Sequence, residues 1–115
     1  MSDILFRSAR DPLFGFSREE FLDYIRRTLE GRVKAAFSYG SFAREEMRGD
    51  SDIDLIVVTE TDLPYPVRGR LFDDLRSRVP SLEILVYTPE EFASLTEDPS
   101  PGFWTSVVKE MARVV

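Results

Sequence analysis

The spacing of hydrophobic and polar residues changes its period several times along the chain. Apolar residues three and four positions apart, as on one helix face, predict helices over 17–30, 70–79, 89–95 and 103–114, and a short helical stretch over 42–47. Alternating or unbroken apolar runs predict strands over 33–39, 52–59 and 81–87. This order predicts the α/β (α+β) fold class, a small mixed β-sheet with helices packed on it, whose strand order the spacing does not fix.

The first strong helix begins with a capping box. Ser17 is followed three residues later by Glu20, so each side chain can accept a hydrogen bond from the backbone amide of the other residue. The segment before it has weak periodicity and a turn signal at Asp11. We therefore divide the 115 residues into an N-terminal arm over 1–16 and a domain over 17–115, a length that fits one domain.

The composition restricts the chemistry of any site. The chain has no cysteine and no histidine, so a general base must be a carboxylate, Lys or Tyr, and a metal must bind through oxygen, which favours Mg²⁺ or Mn²⁺. The net charge of -6 argues against a long nucleic acid as partner, because such binding depends on Lys and Arg. No apolar run has the length of a membrane span and the first residues lack signal-peptide features, so we expect no membrane association and a cytoplasmic location.

Two aspartates in the strongest predicted strand form the first candidate site. Asp52 and Asp54 are two residues apart, so in a strand their side chains share a face at roughly 6.6 Å along the chain. Asp is disfavoured inside strands, and two carboxylates this close repel each other unless a cation lies between them. We interpret the pair as ligands of a divalent cation. The alternative is a polar turn that leads into the strand, which is the interpretation we favour for Asp50.

A Gly-Ser turn lies between the preceding strand and the short helical stretch. Gly40 lets a phosphate approach the backbone closely, the amides at a helix start bind anions, and the Ser41 hydroxyl adds a donor. An ordinary strand-to-helix turn with a serine cap is the alternative. Arg44 lies one helical turn further on, where it can reach a phosphate or the carboxylates of the next strand, or form a surface ion pair with Glu45 or Asp50.

Together these residues resemble the fingerprint of the minimal nucleotidyltransferases of the DNA polymerase β-like superfamily. That fingerprint is a Gly-Ser turn followed by Ala-Arg and then, after a short turn, by Ser-Asp-x-Asp-Leu on a strand. The chain fills every position, with Gly40-Ser41-Phe42-Ala43-Arg44 and Ser51-Asp52-Ile53-Asp54-Leu55. The resemblance covers roughly residues 21–92.

The resemblance implies a set of functional residues. Asp52 and Asp54 would bind Mg²⁺ or Mn²⁺, and a third carboxylate from a later strand would complete the catalytic and metal-binding set. Glu83 is the candidate, because an acid that interrupts an apolar strand is costly when buried without a partner; an edge-strand glutamate facing water is the alternative. The family more often has Asp at this point. The nucleotide-binding residues would be Gly40, Ser41, Arg44 and Ser51.

The implied activity is metal-dependent transfer of a nucleoside monophosphate, AMP from ATP, to a hydroxyl acceptor with release of pyrophosphate. In the family, minimal domains pair with a small helical protein of the HEPN type in toxin–antitoxin systems, and some adenylylate a tyrosine of that partner. The last helix carries more apolar surface than one packed face requires, so it is a candidate partner contact; a homodimer stays open. The alternatives are a non-catalytic binding module that neutralises a partner by contact, and an antibiotic-modifying nucleotidyltransferase, for whose drug-binding domain the chain lacks room.

Overall fold

A computed structural model describes residues 11–40, 42–44 and 52–115. The elements in chain order are α1 (Arg18–Leu29), β1 (Ala35–Tyr39), β2 (Ile53–Val58), a 3₁₀ helix (Tyr65–Phe72), α2 (Asp73–Arg78), β3 (Leu82–Tyr87), α3 (Pro89–Glu97), α4 (Phe103–Glu110) and β4 (Ala112–Arg113). The predicted α/β fold class with a small mixed sheet is confirmed. Residues 42–44 of the helical stretch predicted over 42–47 form a turn, and the rest of that stretch lies outside the described residues.

The strands form one sheet in the order β3-β2-β1-β4. The central strand β2 is parallel to β3 and antiparallel to β1. The short strand β4 pairs antiparallel with the other edge of β1. Five of the six residues of β2 are buried, as its unbroken apolar run predicts for a strand covered on both faces.

One face of the sheet packs on α1, α2 and the end of the 3₁₀ helix. The capping box that starts α1 is formed, because Ser17 accepts from the Glu20 amide and Glu20 accepts from the Ser17 amide. The helix then buries three apolar residues at helical spacing against the sheet. The core on this face comprises Phe21, Ile25, Leu29, Ala36, Phe42, Ile53, Leu55, Val57, Phe72, Leu75, Val79, Leu82, Val86 and Val114.

The opposite face of the sheet is covered by aromatic side chains from α3 and α4. Phe37 stacks on Phe92 of α3 with ring centroids 5.1 Å apart. Trp104 of α4 meets Tyr87 at the end of β3, at 5.4 Å, and also contacts Phe92 at 6.5 Å. Helices therefore lie on both faces of the sheet, and the second face has the more polar strand residues.

The predicted C-terminal helix over 103–114 is wrong at its end. α4 stops at Glu110, and Met111 adopts an extended backbone. The following residues pair with β1, where the Val114 amide donates to the Ala36 carbonyl at 2.8 Å. Val114 is then buried in the main core, so strand pairing and burial together outweigh continuation of the helix.

The segment between β2 and β3 also differs from the prediction. The helix predicted over 70–79 begins instead as a 3₁₀ helix at Tyr65 and continues as α2, and Leu71 is exposed. A buried arginine organises this segment. The Arg68 guanidinium donates to the Leu63 carbonyl at 2.8 Å, the Val86 carbonyl at 3.3 Å and the Glu91 carboxylate at 2.6 Å. It thereby ties the 3₁₀ helix to β3 and to the first turn of α3.

The described part of the N-terminal arm is attached to the domain. The Asp11 carboxylate accepts from the amides of Leu13 and Gly15 and forms the predicted turn. Leu13 and Phe16 pack against the core, and Arg78 donates to the Phe14 carbonyl at 3.1 Å. None of the helices in the described ranges is long and apolar enough to cross a membrane.

Candidate active site

The sheet register places three polar side chains side by side on the aromatic face. Tyr39 on β1 is paired with Asp54 on β2, and Asp54 is paired with Glu83 on β3. Paired residues point to the same face of a sheet whose strands are roughly 4.8 Å apart, so these side chains are neighbours. Asp52, two residues before Asp54, continues the set on the same side. We call Tyr39, Asp52, Asp54 and Glu83 the Asp54 row.

Asp54 is the half-buried carboxylate of the row. Its pKa is raised above the ordinary value, first by burial and then by the negative charges of Glu83 and Asp52. Burial disfavours an ionised carboxylate, and like charges disfavour it further. Asp52 and Glu83 are exposed, so Asp54 is the member of the row that gains most from a cation.

Tyr39 is the uncharged member of the row. Burial, followed by the charges of Asp54 and Glu83, raises the pKa of Tyr39 to about 12. The phenol is therefore protonated at neutral pH, and its hydroxyl is a hydrogen-bond donor beside two carboxylates. In this state Tyr39 cannot be a general base, so within the row that role falls to the carboxylates.

Gly40 brings the backbone against the Asp54 carboxylate. Its φ of +73° lies in the left-handed region, and a Cβ at this position would be 2.7 Å from Asp54 Oδ2. That distance is shorter than any normal contact with a Cβ. The backbone conformation therefore favours glycine, and a larger residue here would also force the Asp54 carboxylate to move.

The chain after Gly40 is anchored in the core by Phe42. This side chain is fully buried and meets Phe21 edge-on, with ring centroids 5.3 Å apart. The Arg18 guanidinium lies 4.0 Å from the centre of the Phe42 ring and donates to the Phe42 carbonyl at 2.6 Å. Phe42 therefore fixes the position of the turn relative to α1 and β2.

Arg44 forms an ion pair that the sequence did not indicate. Its amide donates to the Gly40 carbonyl at 3.1 Å, and its guanidinium lies 2.8 Å from the Glu110 carboxylate at the end of α4. The partners considered from the sequence, Glu45 and Asp50, are outside the described residues, as are the candidate nucleotide-binding residues Ser41 and Ser51. Arg44 thus links the turn to α4.

The donors of the Asp54 row fit a hard divalent cation. Within residues 11–40, 42–44 and 52–115, no three carboxylates lie close enough together to form a complete metal site. Mg²⁺ does not require one, because it is usually bound by one or two carboxylates together with substrate phosphates and water. Asp54 with Asp52 or Glu83 supplies such a pair of oxygen donors, and a cation would relieve the repulsion that raises the Asp54 pKa.

Two aromatic residues at the site were missed as site residues in the sequence. Tyr39 was interpreted only as an alternating strand residue, and Phe103 only as part of the apolar stripe of the last helix, the candidate partner contact. The Phe103 ring meets the Tyr39 ring edge-on at 5.8 Å, next to the carboxylates. The position of Tyr39 directly before the Gly-Ser turn is the sequence signal that could have identified it.

The mixed sheet, the carboxylate row and the glycine turn fit the class of small domains that bind cation-associated phosphates. The chain matches the family described as "Polymerase beta, Nucleotidyltransferase" over residues 23–110. The match spans most of its length, and the chain belongs to this family. The predicted resemblance is therefore confirmed, and the description of the family names nucleotidyl transfer as its reaction.

Two further proteins are similar to the chain. A "Putative protein adenylyltransferase" of Methanocaldococcus jannaschii is 33% identical over 49 residues, which are 43% of this chain and 49% of that protein. The chain thus aligns with about half of that relative. A crystal structure of a toxin-antitoxin with AMP-PNP superposes with a TM-score of 0.57 at 17% identity, over 82% of this chain and 72% of that one. At this identity the likeness shows the fold.

Proposed function

We propose that the protein transfers AMP from ATP to a hydroxyl group of a partner protein and releases pyrophosphate. The observation that carries this proposal is the Asp54 row, in which a half-buried carboxylate with a raised pKa lies between two others. A cation bound there, with the phosphates of a nucleotide, offsets the repulsion. The family supports nucleotidyl transfer, and the name of the relative supports AMP as the group and a protein as the acceptor.

The residues have distinct roles in this proposal. Asp52 and Asp54 would hold Mg²⁺ or Mn²⁺, which would supply charge neutralisation at the phosphates. Glu83, next to Asp54 across the sheet, accepts the proton of the attacking hydroxyl. The hydroxyl oxygen forms a bond to the α-phosphorus while the bond from that phosphorus to the bridging oxygen of the β-phosphate breaks. Holding these groups in line provides much of the rate enhancement.

The turn residues bind the phosphates in this proposal. Gly40 allows close approach to the backbone, and the protonated Tyr39 hydroxyl donates to an anionic oxygen. Arg44 is a further candidate donor to the phosphates, on the family resemblance. Ser41 and Ser51 are assigned to the phosphates by the family resemblance.

The acceptor in this proposal is a tyrosine of a small helical protein of the HEPN type, as in toxin–antitoxin pairs. The toxin-antitoxin structure with AMP-PNP shares the fold and supports a partner of this kind. We place the protein in the cytoplasm with that partner.

Calorimetry with Mg²⁺ and a non-hydrolysable ATP analogue tests the assignment of Asp54. We expect Asp54→Asn to weaken binding at least ~10-fold, equivalent to ~1.4 kcal/mol. Asp62→Asn is the matched control, because Asp62 lies with Glu60 and Glu90 around a separate acidic cavity of about 410 Å³. Equal binding by wild type and Asp54→Asn, or equal losses in both variants, would remove Asp54 from the site.

The transfer reaction is tested with ATP labelled at the α-phosphate and any small helical protein that an adjacent gene encodes. Label on that protein, lost with Asp52→Asn, supports the enzyme. A stable complex that acquires no label from any NTP favours the alternative of a binding module that acts by contact. Mass spectrometry of the labelled protein then identifies the modified residue.

A further inference from the structure

Phe103 is an exposed aromatic residue at the start of α4. Its side chain is 52% exposed, more than any other large hydrophobic residue in the described part of the chain. It meets Tyr39 at an interplanar angle of 86° and Trp104 at 84°. Among the rings that the structure describes, none lies parallel to Phe103, so its face is not used for stacking within the chain.

The exposed ring is held next to the carboxylates. The ring centroids of Phe103 and Tyr39 are 5.8 Å apart, and Tyr39 is paired with Asp54 across the sheet. The charges of Asp54 and Glu83 act on the Tyr39 hydroxyl. Phe103 is thus separated from the carboxylates by one side chain, and the surface combines an aromatic ring with oxygen donors for a cation.

Contacts at both ends of α4 fix the position of Phe103. Trp104 packs against Tyr87 at 5.4 Å and Phe92 at 6.5 Å on the sheet face. At the other end, Glu110 pairs with Arg44 at 2.8 Å. An aromatic ring that is already placed loses little conformational entropy when a ligand stacks on it.

We propose that Phe103 is the surface on which the nucleobase of the bound NTP stacks. This inference rests on the proposed function, in which the Asp54 row holds the cation and the phosphates. An NTP is the one ligand of that reaction that joins a cation-binding phosphate chain to a flat π-system. Stacking recognises the ring face and not its hydrogen-bonding edge, so Phe103 distinguishes large bases from small ones and not adenine from guanine.

Calorimetric titration with two ligands separates the contribution of the nucleobase to binding affinity from that of the phosphates. Wild type, Phe103→Ala, Phe103→Leu and Phe103→Tyr are titrated with Mg²⁺ plus a non-hydrolysable ATP analogue, and with Mg²⁺ plus inorganic tripolyphosphate. We expect Phe103→Ala and Phe103→Leu to weaken the nucleotide roughly 5- to 150-fold, the range found for loss of a stacked base. Tripolyphosphate affinity stays unchanged, and Phe103→Tyr restores nucleotide affinity because it keeps the ring.

Leu71→Ala is the control, since Leu71 is also exposed, at 40%, and lies on the 3₁₀ helix. It should leave both affinities unchanged. Unchanged nucleotide binding by Phe103→Ala, or equal loss of both ligands, overturns the inference while the proposed function stands. If Phe103→Ala does not fold, the affinities of Phe103→Leu for the nucleotide and for tripolyphosphate test the inference in the same way. If wild type binds neither ligand with Mg²⁺, the proposed function fails, and the stacking role fails with it.

Discussion

Replacing Gly40 with alanine tests the contact between the turn and Asp54. The new Cβ would lie 2.7 Å from Asp54 Oδ2 at a φ of +73°. Gly31 offers a matched control, because it has a φ of +83° and nothing within 4 Å of an added Cβ. Both variants therefore share the backbone cost of a left-handed alanine, about 1–2 kcal/mol, and only Gly40→Ala also forces the Asp54 side chain to move.

The difference in stability between the two variants gives the free-energy cost of the contact between the new Cβ and the Asp54 carboxylate. Driving a side chain about 30° from its preferred rotamer costs about 0.5–1.5 kcal/mol. For a chain of this length, 1 kcal/mol corresponds to roughly 4 °C in melting temperature. Gly40→Ala should thus melt about 2–6 °C below Gly31→Ala, and it should lose affinity for Mg²⁺ with nucleotide, whereas Gly31→Ala should keep it.

Thermal melts of the two single variants and of each glycine variant combined with Asp54→Ala provide the measurement. Without the Asp54 carboxylate, Gly40→Ala should cost no more than Gly31→Ala, because residues in contact give non-additive effects. Equal melting temperatures for the two single variants would refute the reasoning. So would an excess cost at Gly40 that persists in the Asp54→Ala background.

Three further predictions concern stability. Because the pKa of Asp54 is raised, ionisation of this carboxyl group destabilises the fold. In the absence of divalent cations, Asp54→Asn should therefore have a higher melting temperature than wild type at about pH 7. This difference in melting temperature should vanish at about pH 3, below the ordinary pKa of Asp. Hydrogen bonds from Arg68 lower the pKa of Glu91 from 4.5 to about 2. Glu91→Gln should therefore have a lower melting temperature than wild type above pH 4.5. Thermal melts at decreasing pH should show this difference in melting temperature disappearing towards pH 2. Ser17→Ala removes the hydroxyl that accepts from the Glu20 amide and should cost about 1 kcal/mol in urea unfolding, whereas a loss below the error of the measurement would contradict the role of the cap.

Local sequence signals predicted the parts of the structure that depend on neighbouring residues. The Ser17 capping box predicted the start of α1 because both hydrogen bonds are made within one helical turn. The strand period placed Asp52 and Asp54 on one face, since alternation is a property of the strand alone. The apolar run from Leu55 predicted a central strand for the same reason.

Features that depend on long-range pairing could not be predicted in this way. The aromatic and aliphatic spacing from Phe103 onward suits a helix, yet β1 offers an edge at which Val114 becomes buried. The neighbours of Asp54 across the sheet, Tyr39 and Glu83, depend on register, which one strand does not specify. The ion pair between Arg44 and Glu110 likewise joins segments that the sequence leaves unrelated.

The late position of β4 in the chain has a consequence for the order of folding. Phe37 pairs with Arg113 across a long intervening segment, whereas Tyr39 pairs with Asp54 across a short one. Closing the longer loop costs more chain entropy before its contacts form. We therefore expect β4 to dock after β1 and β2 have paired, and to open first in native-state hydrogen exchange, so that the Val114 amide exchanges while the strands that carry Tyr39 and Asp54 stay closed.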